Sequence, residues 1–197
     1  MSLGHGAVVV LDVQSIFASE TGPFANRSAG PMIESINALL EAARRPRLPV
    51  LHSRYVLRDD LQDAGLLANS GIELADFRSS APLARIDPRV NVVDGDLHLE
   101  HHRPSAFYAS DLDAVLRRLK IDWLILCGLS VNNAISSTAR DAFARDIPVV
   151  VVREATGAAP FEDEADHDPA FRALHTWTAE VAPLAVVIER IGSIAVE

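Results

Sequence analysis

Three stretches of this 197-residue chain carry side chains suited to chemistry. Asp12 closes the apolar run Ala7-Val8-Val9-Val10-Leu11. A carboxylate there is costly to bury unless it is paired or neutralised. Two readings stay open: Asp12 caps the following loop through Gln14 or Ser15, or it is a strand-end carboxylate tuned as a general acid or base. The second stretch is Leu97-His98-Leu99-Glu100-His101-His102-Arg103. Strand alternation puts Leu97, Leu99 and His101 on one face and His98, Glu100 and His102 on the other. The cluster invites a metal reading, but His98 and His102 on a strand lie about 13 Å apart, too far to share one ion. No metal site is therefore expected, and His98 and His102 read as a solvated strand end. The third stretch runs from Gly128 through Ser130, Asn133 and Ala134 to Ala142. A strand ends at Gly128, a polar turn follows, and a helix begins near Asn133 or Ala134. Backbone N–H groups at such a helix start favour developing negative charge.

Elements that could position these groups alternate along the chain. A near-continuous apolar run predicts a buried strand at Ala7–Val13, and further strands are read at Pro49–Arg54, Asp96–His101, Trp123–Gly128, Pro148–Val152 and Ala185–Glu189. Helical spacing predicts helices over Pro31–Arg45, Ser110–Leu119, Ala134–Arg145 and Pro169–Val181, with Ser110 as an N-cap. Residues 57–95, rich in Asp, Gly, Ser and Pro, read as loops and short elements. Alternating strands and helices imply a six-stranded parallel sheet covered on both faces, a three-layer α/β/α sandwich forming one domain over residues 1–197. Ligands of such sheets bind beyond the carboxyl ends of the strands, where Asp12, His101 and Gly128 fall.

Composition narrows the function classes. Hydrophobic residues make up 49% and charged residues 23%, which suits a folded domain and rules out general disorder. No apolar run reaches the roughly 18 residues of a membrane span, and Met1–Gly6 lacks the pattern of a signal peptide. A net charge of −9 without a basic cluster argues against a nucleic-acid partner. The one cysteine, Cys127, excludes an internal disulfide and fits a cytoplasmic setting. It reads as a small core residue. The one lysine, Lys120, sits at the far end of a helix.

Together the three stretches resemble the isochorismatase-like, or cysteine hydrolase, superfamily. The matching segments are Leu11-Asp12-Val13-Gln14-Ser15-Ile16-Phe17, Arg103-Pro104-Ser105-Ala106-Phe107, and Gly128 to Ala142 with its Ser137-Thr138-Ala139-Arg140-Asp141-Ala142 ending. The resemblance implies a Rossmann-like hydrolase fold, a small-molecule substrate, no cofactor, and a homodimer or homotetramer. Its usual triad is Asp, Lys and Cys. The Asp falls on Asp12, but His101 stands at the Lys position and Ala134 at the Cys position. An alanine methyl cannot attack a carbonyl, so cysteine-dependent amide hydrolysis is not expected. The Asp-x-His metal pair of nicotinamidases also has no match, Ser53-Arg54-Tyr55 standing there. Isochorismatases proper lack the cysteine too, and their Asp is held to protonate a vinyl ether. This points to a hydrolase with Asp12 as acid/base and His101 as its partner. Phe17, Ser130 and Asn133 are candidate substrate contacts. Arg54 or Arg103 would bind a carboxylate, although either also reads as a surface arginine. The alternative is a catalytically silent member that binds a ligand or a partner subunit.

Overall fold

The computed structural model describes residues 5–21, 24, 26, 29–158 and 167–194; most of Met1–Gly6 lies outside them. Six strands form one parallel sheet: β1 (Gly6–Leu11), β2 (Val50–Tyr55), β3 (Leu97–His101), β4 (Trp123–Gly128), β5 (Val149–Thr156) and β6 (Glu180–Ala182). Their spatial order is β3-β2-β1-β4-β5-β6. The chain builds outward from β1 to β3, then returns to start the other half beside β1. The crevice between the carboxyl ends of β1 and β4 is thus the topological switch point, the preferred ligand position of such sheets.

Helices cover both faces, which is why the central strands β1 and β4 are apolar almost throughout. On one face, Val8, Val10, Ile125 and Cys127 pack under α2 (Ala29–Arg44) and α6 (Leu184–Gly192). On the other, Ala7, Val9, Leu11 and Leu126 pack under α3 (Leu112–Arg118), α4 (Ser136–Phe143) and α5 (His167–Trp177). The two faces use alternate residues of each strand. A short helix, α1 (Ser15–Ala18), follows β1. Its Ile16 joins Leu57, Ala64 and Phe77 in a third, smaller apolar cluster that anchors the long connection after β2. That connection contains three single turns, Gly65–Asn69, Ala75–Phe77 and Pro82–Ala84. No helix among the described residues is long and apolar enough to cross a membrane.

One predicted strand is corrected. Ala185–Glu189 lies in helix α6, and the sixth strand is Glu180–Ala182. The β-branched run there has helical spacing: Leu184, Val187, Ile188 and Ile191 all turn toward the core, and Pro183 stands at the N-cap. The predicted helix Pro169–Val181 accordingly ends at Trp177. The N-cap of α3 is Asp111 rather than Ser110; the Ser110 hydroxyl, one residue earlier, accepts the Leu112 N–H at 3.2 Å. The helix predicted from Ala134 becomes regular only at Ser136. Before it, Val131–Ile135 forms one wide turn, with the Ile135 N–H donating to the Ser130 carbonyl five residues back at 3.1 Å.

Candidate active site

Asp12 is the first residue beyond β1. Its φ of +56° places a non-glycine residue in the left-handed region, which turns the chain sharply off the sheet. The loop-capping reading of its side chain is not realised: the Gln14 N–H bonds the Asp12 backbone carbonyl at 2.8 Å, and the Ser15 N–H goes to the Arg85 carbonyl. The carboxylate instead meets His101, with Oδ1 2.8 Å from Nε2. Asp12 is 6% exposed and His101 1%, so the pair is held almost out of water.

The other ring nitrogen decides what the pair holds. His101 Nδ1 lies 2.6 Å from the Arg103 carbonyl oxygen. A carbonyl only accepts, so Nδ1 carries a hydrogen. Nε2 then faces a carboxylate, and one further proton is needed to bridge the two. The pair is an imidazolium–carboxylate or, equivalently in proton count, an imidazole and a carboxylic acid. Burial pulls the His101 pKa down. The charge of Asp12, its hydrogen bond and the Arg103 carbonyl outweigh that, and the pKa is raised above the ordinary 6.5. Tyr55 packs edge-on against the imidazole, ring centroids 5.7 Å apart.

Gly128 brings β4 into the crevice. Its φ is +113°, and a Cβ there would sit 2.0 Å from the Leu11 carbonyl oxygen. Only glycine permits that approach, which the Leu129 N–H uses to bond the same oxygen at 2.8 Å. The chain then passes through Ser130 into the wide turn that carries Asn133 and Ala134. Ala134 is 2% exposed. Asp12, Ser130, Asn133 and Ala134 line one side of a pocket of about 810 Å³. Phe17, Phe24, Tyr55 and Phe77, with Ala64 to Leu67 and Arg103, line the rest.

The chain that carries these three segments is similar over most of its length to known proteins. The profile of the isochorismatase domain matches residues 6–186. The chain belongs to the isochorismatase family. It is 28% identical over 162 residues to an N-carbamoylsarcosine amidase of Arthrobacter sp, covering 79% of this chain and 61% of that protein. It therefore spans less than two thirds of that relative's length. A ureidoacrylate amidohydrolase of Cronobacter sakazakii is 27% identical over 188 residues, covering 82% of this chain and 79% of that protein. The crystal structure of a cysteine hydrolase from Pseudomonas syringae pv. phaseolicola 1448A superposes with a TM-score of 0.90 at 27% identity, covering 96% and 93% of the two chains. The fold is that of isochorismatase-family hydrolases.

Within this family frame, the structure brings Asp12, His101, Ala134, Phe17, Arg103, Ser130 and Asn133 to one pocket or its immediate back wall. Arg54 is the exception and is corrected. Side-chain alternation along β2 turns Tyr55 toward the pocket and Arg54 to the opposite face. There Arg54 pairs with Glu100, its register partner on β3, and donates to the Ala84 carbonyl at 3.2 Å. The histidines of the second stretch are dispersed: His98 stacks on His52, and His102 meets Tyr108. Among the described residues, no group of three His, Cys, Asp or Glu side chains is placed to hold a metal ion. Cys127 is fully buried in β4, and burial pushes its thiol well up.

Sequence reasoning missed the outer wall. Phe24, Tyr55, Phe77 and residues 64–67 sit in segments read only as loop or strand end. Aromatic residues isolated in polar loops were the available signal. It also missed the clip made by Gln14. That side chain is fully buried, donates to the carbonyls of Tyr55 (3.0 Å) and Ala84 (2.8 Å), and accepts the Tyr55 N–H (2.7 Å).

Proposed function

We propose that the protein is an isochorismatase-family hydrolase that cleaves a small metabolite without a sulfur nucleophile, Asp12 acting as general acid and base with His101 as its partner. The observation that carries this reading is the 2.8 Å contact between Asp12 Oδ1 and His101 Nε2, two nearly buried groups of which Asp12 lines the pocket. Asp12 can deliver a proton, and His101, fixed by the Arg103 carbonyl, keeps the pair supplied with it. Ala134 leaves no thiol at the position where the family's cysteine stands, and in this reading water adds directly.

An enol ether fits this chemistry. The proton passes from Asp12 to the terminal vinyl carbon, leaving an oxocarbenium ion. Water adds to its carbon and returns one proton to Asp12. The hydroxyl proton of the hemiketal then passes to the ether oxygen as the C–O bond breaks, giving an alcohol and a ketone. Substrate, one water and products balance, and the pair ends as it began. The relatives named as amidases have names that describe amide hydrolysis; a methyl at position 134 does not supply the covalent step that cysteine would provide.

Turnover of enol ethers by the purified protein, lost on Asp12→Asn with folding intact, is the expected result. Activity should fall as pH rises through the raised His101 pKa, because the pair then lacks the transferable proton. Turnover that Asp12→Asn leaves unchanged, or a flat pH profile, contradicts the proposal. Replacement of both the Lys and Cys positions favours a second reading, a ligand-binding member without turnover. Tight binding of a ligand that is never consumed would select it.

The proposal extends to assembly as a homodimer or homotetramer in the cytoplasm. Phe143 and Trp177, 58% and 82% exposed at the opposite end of the sheet, offer an apolar contact. Light scattering that finds a monomer at micromolar concentration would count against it.

A further inference from the structure

The pocket walls carry more information than its catalytic edge. Phe17, Phe24 and Phe77 pack with centroids 5.6–5.9 Å apart, Phe77 edge-on to the other two, and Tyr55 joins them at 6.0 Å from Phe77. At the rim, Leu66 is 88% and Ile72 38% exposed, so two large apolar side chains that line the pocket stand in water. Apolar surface left uncovered around a concave site marks a place for an apolar ligand. The volume, about 810 Å³, lies toward the upper end of ordinary ligand sites and far exceeds the needs of a three- or four-carbon acid.

Charge is sparse and divided. Among the described lining residues Asp12 is the sole carboxylate and Arg103 the sole cation. The Arg103 guanidinium is half-buried and lies across Gly65, where a Cβ would come within 2.6 Å of Nη2. Nη1 donates to the backbone carbonyls of Asp63 at 2.8 Å and His102 at 2.5 Å. These bonds fix the guanidinium without neutralising it: among the described residues Arg103 forms no ion pair, whereas Arg54 and Arg89 do. A fixed, half-buried cation with no carboxylate partner favours an anion from outside.

We infer that this pocket takes a bulky aryl or branched aliphatic monoanion, its apolar body against the Phe17–Phe24–Phe77 wall and its anionic group on Arg103, rather than a small hydrophilic acid. The inference rests on the pocket being the substrate site, and it adds the substrate class.

Calorimetry on the full chain tests it with 2-naphthylacetate, its neutral amide, and acetate. Naphthylacetate should bind, its amide at least tenfold more weakly, and acetate not measurably at millimolar concentration. Arg103→Gln should remove the preference for acid over amide. Phe77→Ala should weaken both probes together. Thermal melts show which variants remain folded, and the wild-type series stands alone if either variant unfolds. Equal binding of acid and amide, or acetate competing as well as naphthylacetate, overturns the inference. Asp12→Asn keeps the two proposals apart. Lost turnover with naphthylacetate binding retained supports both. Naphthylacetate binding to a protein that turns over no enol ether refutes the catalytic proposal and leaves the substrate class standing.

Discussion

At the scale of single residues, the unusual feature is that Asp12 meets His101 at 2.8 Å while position 134, lining the same pocket, is a methyl. The substitution Ala134→Cys therefore reports directly on the pocket. In the native protein Cys127 is fully buried and its thiol is pushed up, so iodoacetamide should label the folded protein at a negligible rate. Ala134→Cys should label readily, because position 134 lines the pocket beside Asp12. Mass spectrometry locates the adduct, and a protein left unlabelled at 134 would mean that the pocket is closed. His101→Lys addresses the proton itself. A lysine paired with Asp12 holds its proton to higher pH than imidazole, so the alkaline limb of activity should move upward. A limb that stays in place would assign it to another group.

At the scale of elements, two small devices hold the crevice in shape. Gly128 lets β4 touch the end of β1. Any Cβ there overlaps the Leu11 carbonyl and demands φ near +113° of a residue that resists it. Gly128→Ala should cost at least about 3 kcal/mol, or prevent folding, as read by urea denaturation. Gln14 is the second device, joining the end of β1 to Tyr55 of β2 and to the turn at Ala84. Gln14→Leu keeps the bulk but strips partners from buried backbone groups, and should destabilise by about 2–3 kcal/mol. Loss of under ~0.5 kcal/mol would show that water replaces the clip.

At the scale of the whole molecule, two buried histidines set opposite pH limits. Burial, opposed by the Asp96 hydrogen bond, lowers the pKa of His52 below 6.5. Its contribution to stability is complete above 6.5 and is lost as pH falls from there through the folded pKa. The pKa of His101 is raised above 6.5. Its contribution is complete below 6.5 and is lost as pH rises through the folded pKa. Urea midpoints should therefore peak near pH 6.5 and fall on both sides, the alkaline fall vanishing in His101→Gln. A stability that still rises from pH 6.5 to 9 would oppose this. The sequence alone determined the layered architecture, because a strand buried on both faces must be apolar throughout and its crossover helices must be amphipathic. It likewise determined that Asp12, His101 and Gly128 lie at strand ends, with Ala134 in the turn that follows Gly128. It misread Ala185–Glu189, since a short β-branched run serves either period and only packing of Val187 and Ile191 on the core chooses. Tertiary structure alone decided which side of β2 faces the site, taking Tyr55 and leaving Arg54 outside. It also decided the contact between Asp12 and His101 and the aromatic wall. Those depend on contacts between residues up to 89 positions apart, and no local pattern encodes a distance across the fold.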